Sequence, residues 1–224
     1  ESCLERGGVD GAIARAGGAS LAEKRQALPI ISGEKWRALW NGEGDKRCEV
    51  GDAVVTTGGP FGFLACSVVI HAVGPDYRKL LEDDIGRRGD GLLRDAYLAA
   101  MRRAQENGCK TVAFTLLSAG IGRGTRSLEN VLEVAVRAIG DMAYPGLQRV
   151  HLVAFSPTEQ EVLQRVAKLL LATTRAVDVS RPEDSDEHLA HQLASVDKAL
   201  HNPSSSSPPS DGHAPSRSPP QRQS

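Results

Sequence analysis

The feature that most limits what this chain can fold into is its alternation of short β-branched runs with longer amphipathic stretches. Ser67–Val73 (SVVIHAV), Thr111–Leu117 and Arg149–Phe155 (RVHLVAF) read as strands, as does Asp52–Thr57, which is stopped by Gly58-Gly59-Pro60. Asp90–Asn107 places Leu93, Ala96, Tyr97, Ala100, Met101 and Ala104 on one helix face, and Asn107-Gly108 reads as its C-cap. Ser127–Ala143 is expected to be helical. Thr158 and Glu161 form a capping-box pattern that opens another helix through Leu171. Near the start, Gly11–Ala16 reads as a short helix that follows Asp10 and ends at Gly17-Gly18, and Ser20–Leu28 as a helix ahead of Pro29. Strands alternating with helices predict an α/β domain with a mixed, largely parallel sheet. Ligands on such sheets bind where strand carboxyl ends run into loops. The loops after Thr111–Leu117 and after Arg149–Phe155, and the loop before Asp10, are therefore the places to look for a site.

Composition narrows the partners. With 27 Lys and Arg against 28 Asp and Glu, the net charge of −1 argues against a whole-domain electrostatic grip on nucleic acid. No apolar run reaches the roughly 18 residues of a membrane span, since the stretch Val166–Ala172 is interrupted by Lys168. The first residues lack the basic start and apolar run of a signal peptide. Cys3, Cys48, Cys66 and Cys109 are scattered, with no C-x-x-C and no Cys/His ligand spacing, which argues against a metal site and against a disulfide framework. A monomeric protein of the cytoplasm or nucleus, without cofactor or metal, is expected. From Asn202 onward the chain holds half of its 12 prolines and no Val, Ile, Leu, Phe, Tyr or Trp. Such a segment buries too little apolar area to offset its ordering entropy, so 202–224 reads as a disordered tail. Residues 173–201 read as a linker with a short helix over Glu183–His201.

Two glycine-rich stretches are candidate ligand loops. Ser118-Ala119-Gly120-Ile121-Gly122-Arg123-Gly124 lies between a strand and a helix, where backbone N–H groups and the helix N-terminus favour an anion. The dinucleotide fingerprint fails, because Thr125 stands where its third glycine belongs, and no G-K-[ST] of a P-loop exists. Gly7-Gly8-Val9-Asp10-Gly11-Ala12-Ile13 is the other. Asp10 reads either as a helix N-cap or as a carboxylate held beside a ligand loop.

Gly7-Gly8-Val9-Asp10-Gly11-Ala12-Ile13, Cys48-Glu49-Val50-Gly51-Asp52-Ala53, Val69-Ile70-His71-Ala72-Val73-Gly74-Pro75 and Leu117-Ser118-Ala119-Gly120-Ile121 occur in the order of a macrodomain. Over about residues 1–172 the chain resembles that family, most closely its MacroD-like branch. The resemblance implies a three-layer α/β/α fold that binds ADP-ribose or ADP-ribosylated protein. It also implies hydrolysis of ADP-ribose esters, on acidic side chains of proteins or in O-acetyl-ADP-ribose. By position it places the catalytic carboxylate on Asp10. The distal ribose and diphosphate would lie against Gly7, Gly8 and Val9, and the second phosphate loop on Ser118, Ala119, Gly120, Ile121 and Gly122. Phe155 matches an aromatic position near adenine and the proximal ribose.

The chain also departs from the family pattern. The family's catalytic-loop asparagine falls just before Glu1, and its first strand is missing from the sequence as written. Glu5 and Arg6 stand where further glycines are expected, and Gly122 replaces an aromatic over the distal ribose. Ile30–Arg47, with Trp36 and Trp40, reads as an insertion. These departures keep a second reading open, an ADP-ribose reader without turnover, and behind it an RNA-binding or structural domain. His71 and His151 read as core histidines. Arg123 and Arg126 read either as ligand-attracting groups or as solvated loop charges.

Overall fold

The computed structural model describes residues 8–31 and 46–178. Helix α1 spans Gly8–Gln26 as two segments joined at Gly18, whose φ of 57° and ψ of −155° break the helical geometry. That conformation is essentially open to glycine alone, so the first helical segment stops at Gly17-Gly18 as expected and the second sets off from a sharp kink there. Strands β1 (Ala53–Thr57) and β2 (Val68–Ala72) form an antiparallel pair in which Ala53 faces Ala72 and Thr57 faces Val68. The loop 58–67 between them contains a cis Gly59–Pro60 bond.

Helix α2 (Asp90–Glu106) follows a run of short turns and ends on Asn107, with Gly108 at φ 63° just beyond. Strand β3 (Thr111–Thr115), helix α3 (Leu128–Asp141) and strand β4 (Arg149–Val153) make a β-α-β unit. Its strands pair in parallel, Thr111 opposite Arg149 and Thr115 opposite Val153. A parallel pair needs such a crossover, and the helix covers the strands it connects. Helix α4 (Pro157–Asp178) closes the described chain. Among the described residues the strands form two two-stranded sheets, β1 with β2 antiparallel and β3 with β4 parallel, with no ladder between β2 and β3. The helix expected over Glu183–His201, the tail 202–224 and the insertion core with Trp36 and Trp40 lie outside the described residues.

The core forms where α2 lies against the strands and α3. Leu93, Ala96, Tyr97, Ala100, Met101 and Ala104 are all buried, so the helical periodicity of this segment maps directly onto packing. They meet Val112 and Phe114 of β3 and Val131, Ala135 and Ala138 of α3. Each large side chain buried there contributes about 1.5–3 kcal/mol. The Tyr97 and Phe114 rings pack tilted at 54° with centroids 5.4 Å apart. A smaller cluster, Leu132 with Val162 and Val166, fixes α4 to α3.

Two local expectations change. Asp10 does not cap a helix, because α1 begins two residues earlier at Gly8 and the carboxylate sits within the first turn. The capping box of α4 is built by Ser156 and Glu159 instead of Thr158 and Glu161. The Ser156 hydroxyl accepts from the Glu159 N–H at 3.2 Å, and the Glu159 carboxylate accepts from the Ser156 N–H at 3.3 Å. Pro157 then occupies the first helical position, where its missing N–H costs nothing.

Candidate functional site

The loop after β3 is positioned by the core beneath it. The buried Tyr97 hydroxyl accepts from the Leu117 N–H at 2.9 Å, which ties the start of the loop to α2. Ser118 then adopts a positive φ of 56°, a strained conformation for a residue with a side chain. Its hydroxyl donates to the Pro75 carbonyl at 2.8 Å. Gly74 admits this contact, because a Cβ there would stand 2.4 Å from the Ser118 Oγ. The carboxyl ends of β2 and β3 are thereby drawn together.

Beyond Ser118 the loop is sterically open on its outer side. Ala119 is buried, whereas Ile121 is 81% exposed. Nothing lies within 4 Å of a Cβ placed on Gly120, and one on Gly122 would meet only Pro75 O at 3.8 Å and Asp76 Cα at 3.9 Å. An anion can therefore approach this backbone without displacing side chains. Ile121–Arg123 forms a short 3₁₀ turn. Gly124, at φ 57°, passes so close to Arg78 that a Cβ would stand 3.0 Å from its Cγ and 3.3 Å from its backbone nitrogen.

Arg123 and Arg126 are both partly buried and hydrogen-bonded within the fold. The Arg123 guanidinium donates to the Ala119 carbonyl at 3.2 Å and to the Arg126 carbonyl at 2.7 Å, which folds the loop onto itself. Arg126 donates through Nε to Asp90 Oδ1 at 3.1 Å and through Nη2 to Asp90 Oδ2. The Tyr77 hydroxyl donates to the same Asp90 at 2.9 Å. Burial and the neighbouring Asp90 carboxylate raise the Tyr77 phenol well above its ordinary value, so it remains a donor. Gly89 makes room for the Tyr77 ring, since a Cβ there would come within 2.6 Å of it.

The first loop is described from Gly8; Gly7 lies outside the described residues. Gly8 has φ 74° and open space around its Cα. Val9 is partly exposed. The Asp10 side chain is 46% exposed, and its Oδ1 accepts from the Arg25 Nη2 at 2.9 Å. Arg25 itself is only 5% exposed. His71 on β2 lies near both charges, and its Nε2 is 3.1 Å from the hydroxyl of buried Thr56. Burial first, and then the Arg25 cation, lower the His71 pKa to about 4, with Asp10 opposing. His71 is therefore neutral, partly buried and partnered to Thr56, close to the core histidine expected, whereas His151, expected in the core as well, is exposed on β4. Phe155, at the end of β4, is 91% exposed and stands free for a stacking partner. Its N–H is taken by the Glu159 carboxylate at 2.7 Å.

Ser118–Gly122 is thus gathered with Gly74 and Pro75, and Asp10 with Arg25 and His71. Both groups border β2, which carries His71, and its exit, which leads to Gly74. Hydrogen bonds do not join Asp10 directly to the second loop or to Phe155 among the described residues. Sequence reasoning missed Arg25, Thr56, Tyr77 and Asp90. Arg25 left a signal, because it shares a helix face with buried Leu21 four residues earlier, an odd place for a cation. No described group of His, Cys, Asp and Glu could hold a metal ion, and no described helix is long and apolar enough to cross a membrane.

The profile of the Macro domain family matches residues 1–135. The chain is 33% identical over 169 residues to an O-acetyl-ADP-ribose deacetylase of Escherichia fergusonii, a match that takes in 74% of this chain and 81% of that protein. A protein of the same name from an Enterobacter species is 32% identical over 168 residues, covering 74% and 80%. The macrodomain of Oceanobacillus iheyensis, solved with ADP, superposes with a TM-score of 0.59 at 24% identity, over 77% of this chain and 80% of that one. The α/β architecture described above is thus the macrodomain fold. The chain belongs to the macrodomain family.

Proposed function

We propose that this macrodomain binds ADP-ribose and, as a MacroD-like hydrolase, cleaves ADP-ribose esters, both those on acidic side chains of proteins and O-acetyl-ADP-ribose. One observation carries the reading: an unobstructed glycine loop at the strand ends, Ser118–Gly122, occurs with a carboxylate, Asp10, that a buried guanidinium holds in place. The names of the bacterial relatives support it. Backbone N–H groups of Ser118, Ala119, Gly120, Ile121 and Gly122, with Gly7, Gly8 and Val9, would receive the diphosphate without bulky side chains. The exposed Phe155 ring would meet adenine or the proximal ribose. In the reaction a water oxygen adds to the acyl carbon or to the anomeric carbon, and the ester C–O bond at that carbon breaks. The products are the carboxylic acid and ADP-ribose. Asp10 or a ligand phosphate accepts the water's proton.

Calorimetry with ADP-ribose tests binding, and the absence of heat at millimolar ligand overturns the whole reading. Acetate release from O-acetyl-ADP-ribose, with Asp10→Ala as control, tests turnover. Equal, slow release by both proteins leaves the second reading, a binder without turnover. Gly122 favours that reading, because it supplies no side chain to close over the distal ribose.

A further inference from the structure

Asp10 and Arg25 lie on the two segments of α1, on either side of Gly18, and their side chains meet at 2.9 Å across 15 positions of sequence. In a straight helix, at about 1.5 Å per residue, those positions would stand roughly 22 Å apart, beyond the reach of any two side chains. The kink at Gly18 turns the second half of α1 back upon the first and makes the contact possible. This kink is built rather than incidental. The Ala16 carbonyl, freed by the break, accepts from the Phe63 N–H at 2.7 Å, and the Gly17 carbonyl accepts from the Ser20 hydroxyl at 3.1 Å. Gly62 lies against the same turn, where a Cβ would come within 2.4 Å of the Ala16 carbonyl oxygen. Leu21, fully buried beneath Gly17, locks the second segment in place.

The charges are arranged asymmetrically. Arg25 is almost wholly buried while Asp10 is half open to solvent. Burying a guanidinium costs several kcal/mol before pairing, so an ion pair of this kind is a poor source of stability, and its best-attested use is to specify geometry. His71 and Thr56 stand behind as neutral groups, hydrogen-bonded to one another. Asp10 is an acceptor that Arg25 meets across this kink.

We infer that Arg25 is a positioning residue: delivered by the Gly18 kink, its guanidinium fixes the Asp10 carboxylate in the orientation from which it acts. The catalytic consequence rests on the hydrolase reading of Asp10; the positioning itself does not. The full chain and its Arg25→Gln, Arg25→Lys and Asp10→Asn variants are compared for O-acetyl-ADP-ribose hydrolysis, ADP-ribose affinity and amide hydrogen exchange over residues 8–17. Arg25→Gln is expected to lower kcat roughly 10- to 100-fold, as misplacement of a reacting group by about 1 Å does, with KM and ADP-ribose Kd within about threefold. Arg25→Lys is expected to restore part of kcat, since it keeps the charge without the fork. Arg25→Gln and Asp10→Asn are also expected to speed exchange in residues 8–17 alike, while α2 stays protected. An unchanged kcat, or a fall in kcat matched by an equal fall in affinity, overturns the inference. If Asp10→Asn turns over as well as the parent, or the parent does not turn over, the hydrolase reading fails instead. Hydrogen exchange then decides the positioning alone, and unchanged exchange in Arg25→Gln overturns it.

Discussion

Arg126 closes the second loop by gripping both carboxylate oxygens of Asp90, 36 residues away at the start of α2. Tyr77 donates to the same carboxylate, so three elements converge on one partly buried anion. Hydrogen bonds to charged groups contribute about 1.5–3 kcal/mol each when a partner is lost. Arg126→Ala is expected to lower the Tm by roughly 4–8 °C and to weaken ADP-ribose binding about tenfold, because the loop loses its anchor. Tyr77→Phe removes one bond and leaves Arg126 in place, so a smaller loss of Tm is expected with affinity nearly intact. Thermal melts and calorimetry on both variants check this. Equal affinity losses would mean that the Arg126 fork is not what holds the loop.

Gly122 offers a gain rather than a loss. A Cβ there meets Pro75 O and Asp76 Cα at ordinary contact distances, and the outer side of the loop is open. Gly122→Tyr is therefore expected to leave stability within about 0.5 kcal/mol. Ring contact with a bound ribose would contribute about 0.5–1.5 kcal/mol, so ADP-ribose affinity is expected to rise some three- to tenfold. Calorimetry on the variant reads this directly, and a weakened Kd counts against the assignment of Ser118–Gly122 to the ligand.

The start of α4 depends on Ser156 and Glu159, which satisfy each other's backbone N–H groups. Ser156→Ala is expected to cost about 0.5–2 kcal/mol. Thr158→Ala, in the pattern that looked equally like a capping box in the sequence, is expected to cost less than about 0.5 kcal/mol. Urea midpoints of the two variants separate the registers.

Much of the fold was legible because one physical signal dominated. The face Leu93–Ala104 is read from apolar spacing and is buried as read, since a helix against a sheet has few other ways to hide that stripe. The strands were recognised but each runs shorter than its β-branched sequence, because pairing partners set where a ladder ends. The capping box slipped by two residues, as Thr158-x-x-Glu161 and Ser156-x-x-Glu159 satisfy the same local rule and only Pro157 chooses between them. In the site, the glycine loops were visible as composition. The groups that hold them were not. Arg25 reaches Asp10 only through a kink, and Arg126 reaches Asp90 only through tertiary packing, so neither contact has a sequence spacing that announces it.

His71 makes stability depend on pH between its unfolded and folded pKa values. Its imidazole is held neutral by burial and by Arg25, with a pKa of about 4 against 6.5 when unfolded. Below pH 6.5 the unfolded chain takes up a proton that the folded chain refuses, so folding is progressively penalised as pH falls. Stability is complete above pH 6.5 and declines toward pH 4, at no more than about 1.4 kcal/mol per pH unit and by about 3 kcal/mol in total. Asp76, whose carboxyl is held low chiefly by the Arg78 hydrogen bond, keeps its charge through this window and loses it only at lower pH. The urea midpoint of the parent chain is therefore expected to fall between pH 7 and pH 4.5. His71→Gln, which keeps a polar partner for Thr56 without a titrating ring, is expected to be less stable at pH 7 but to show a much flatter slope. Parallel slopes for the two proteins would remove His71 as the origin of the dependence.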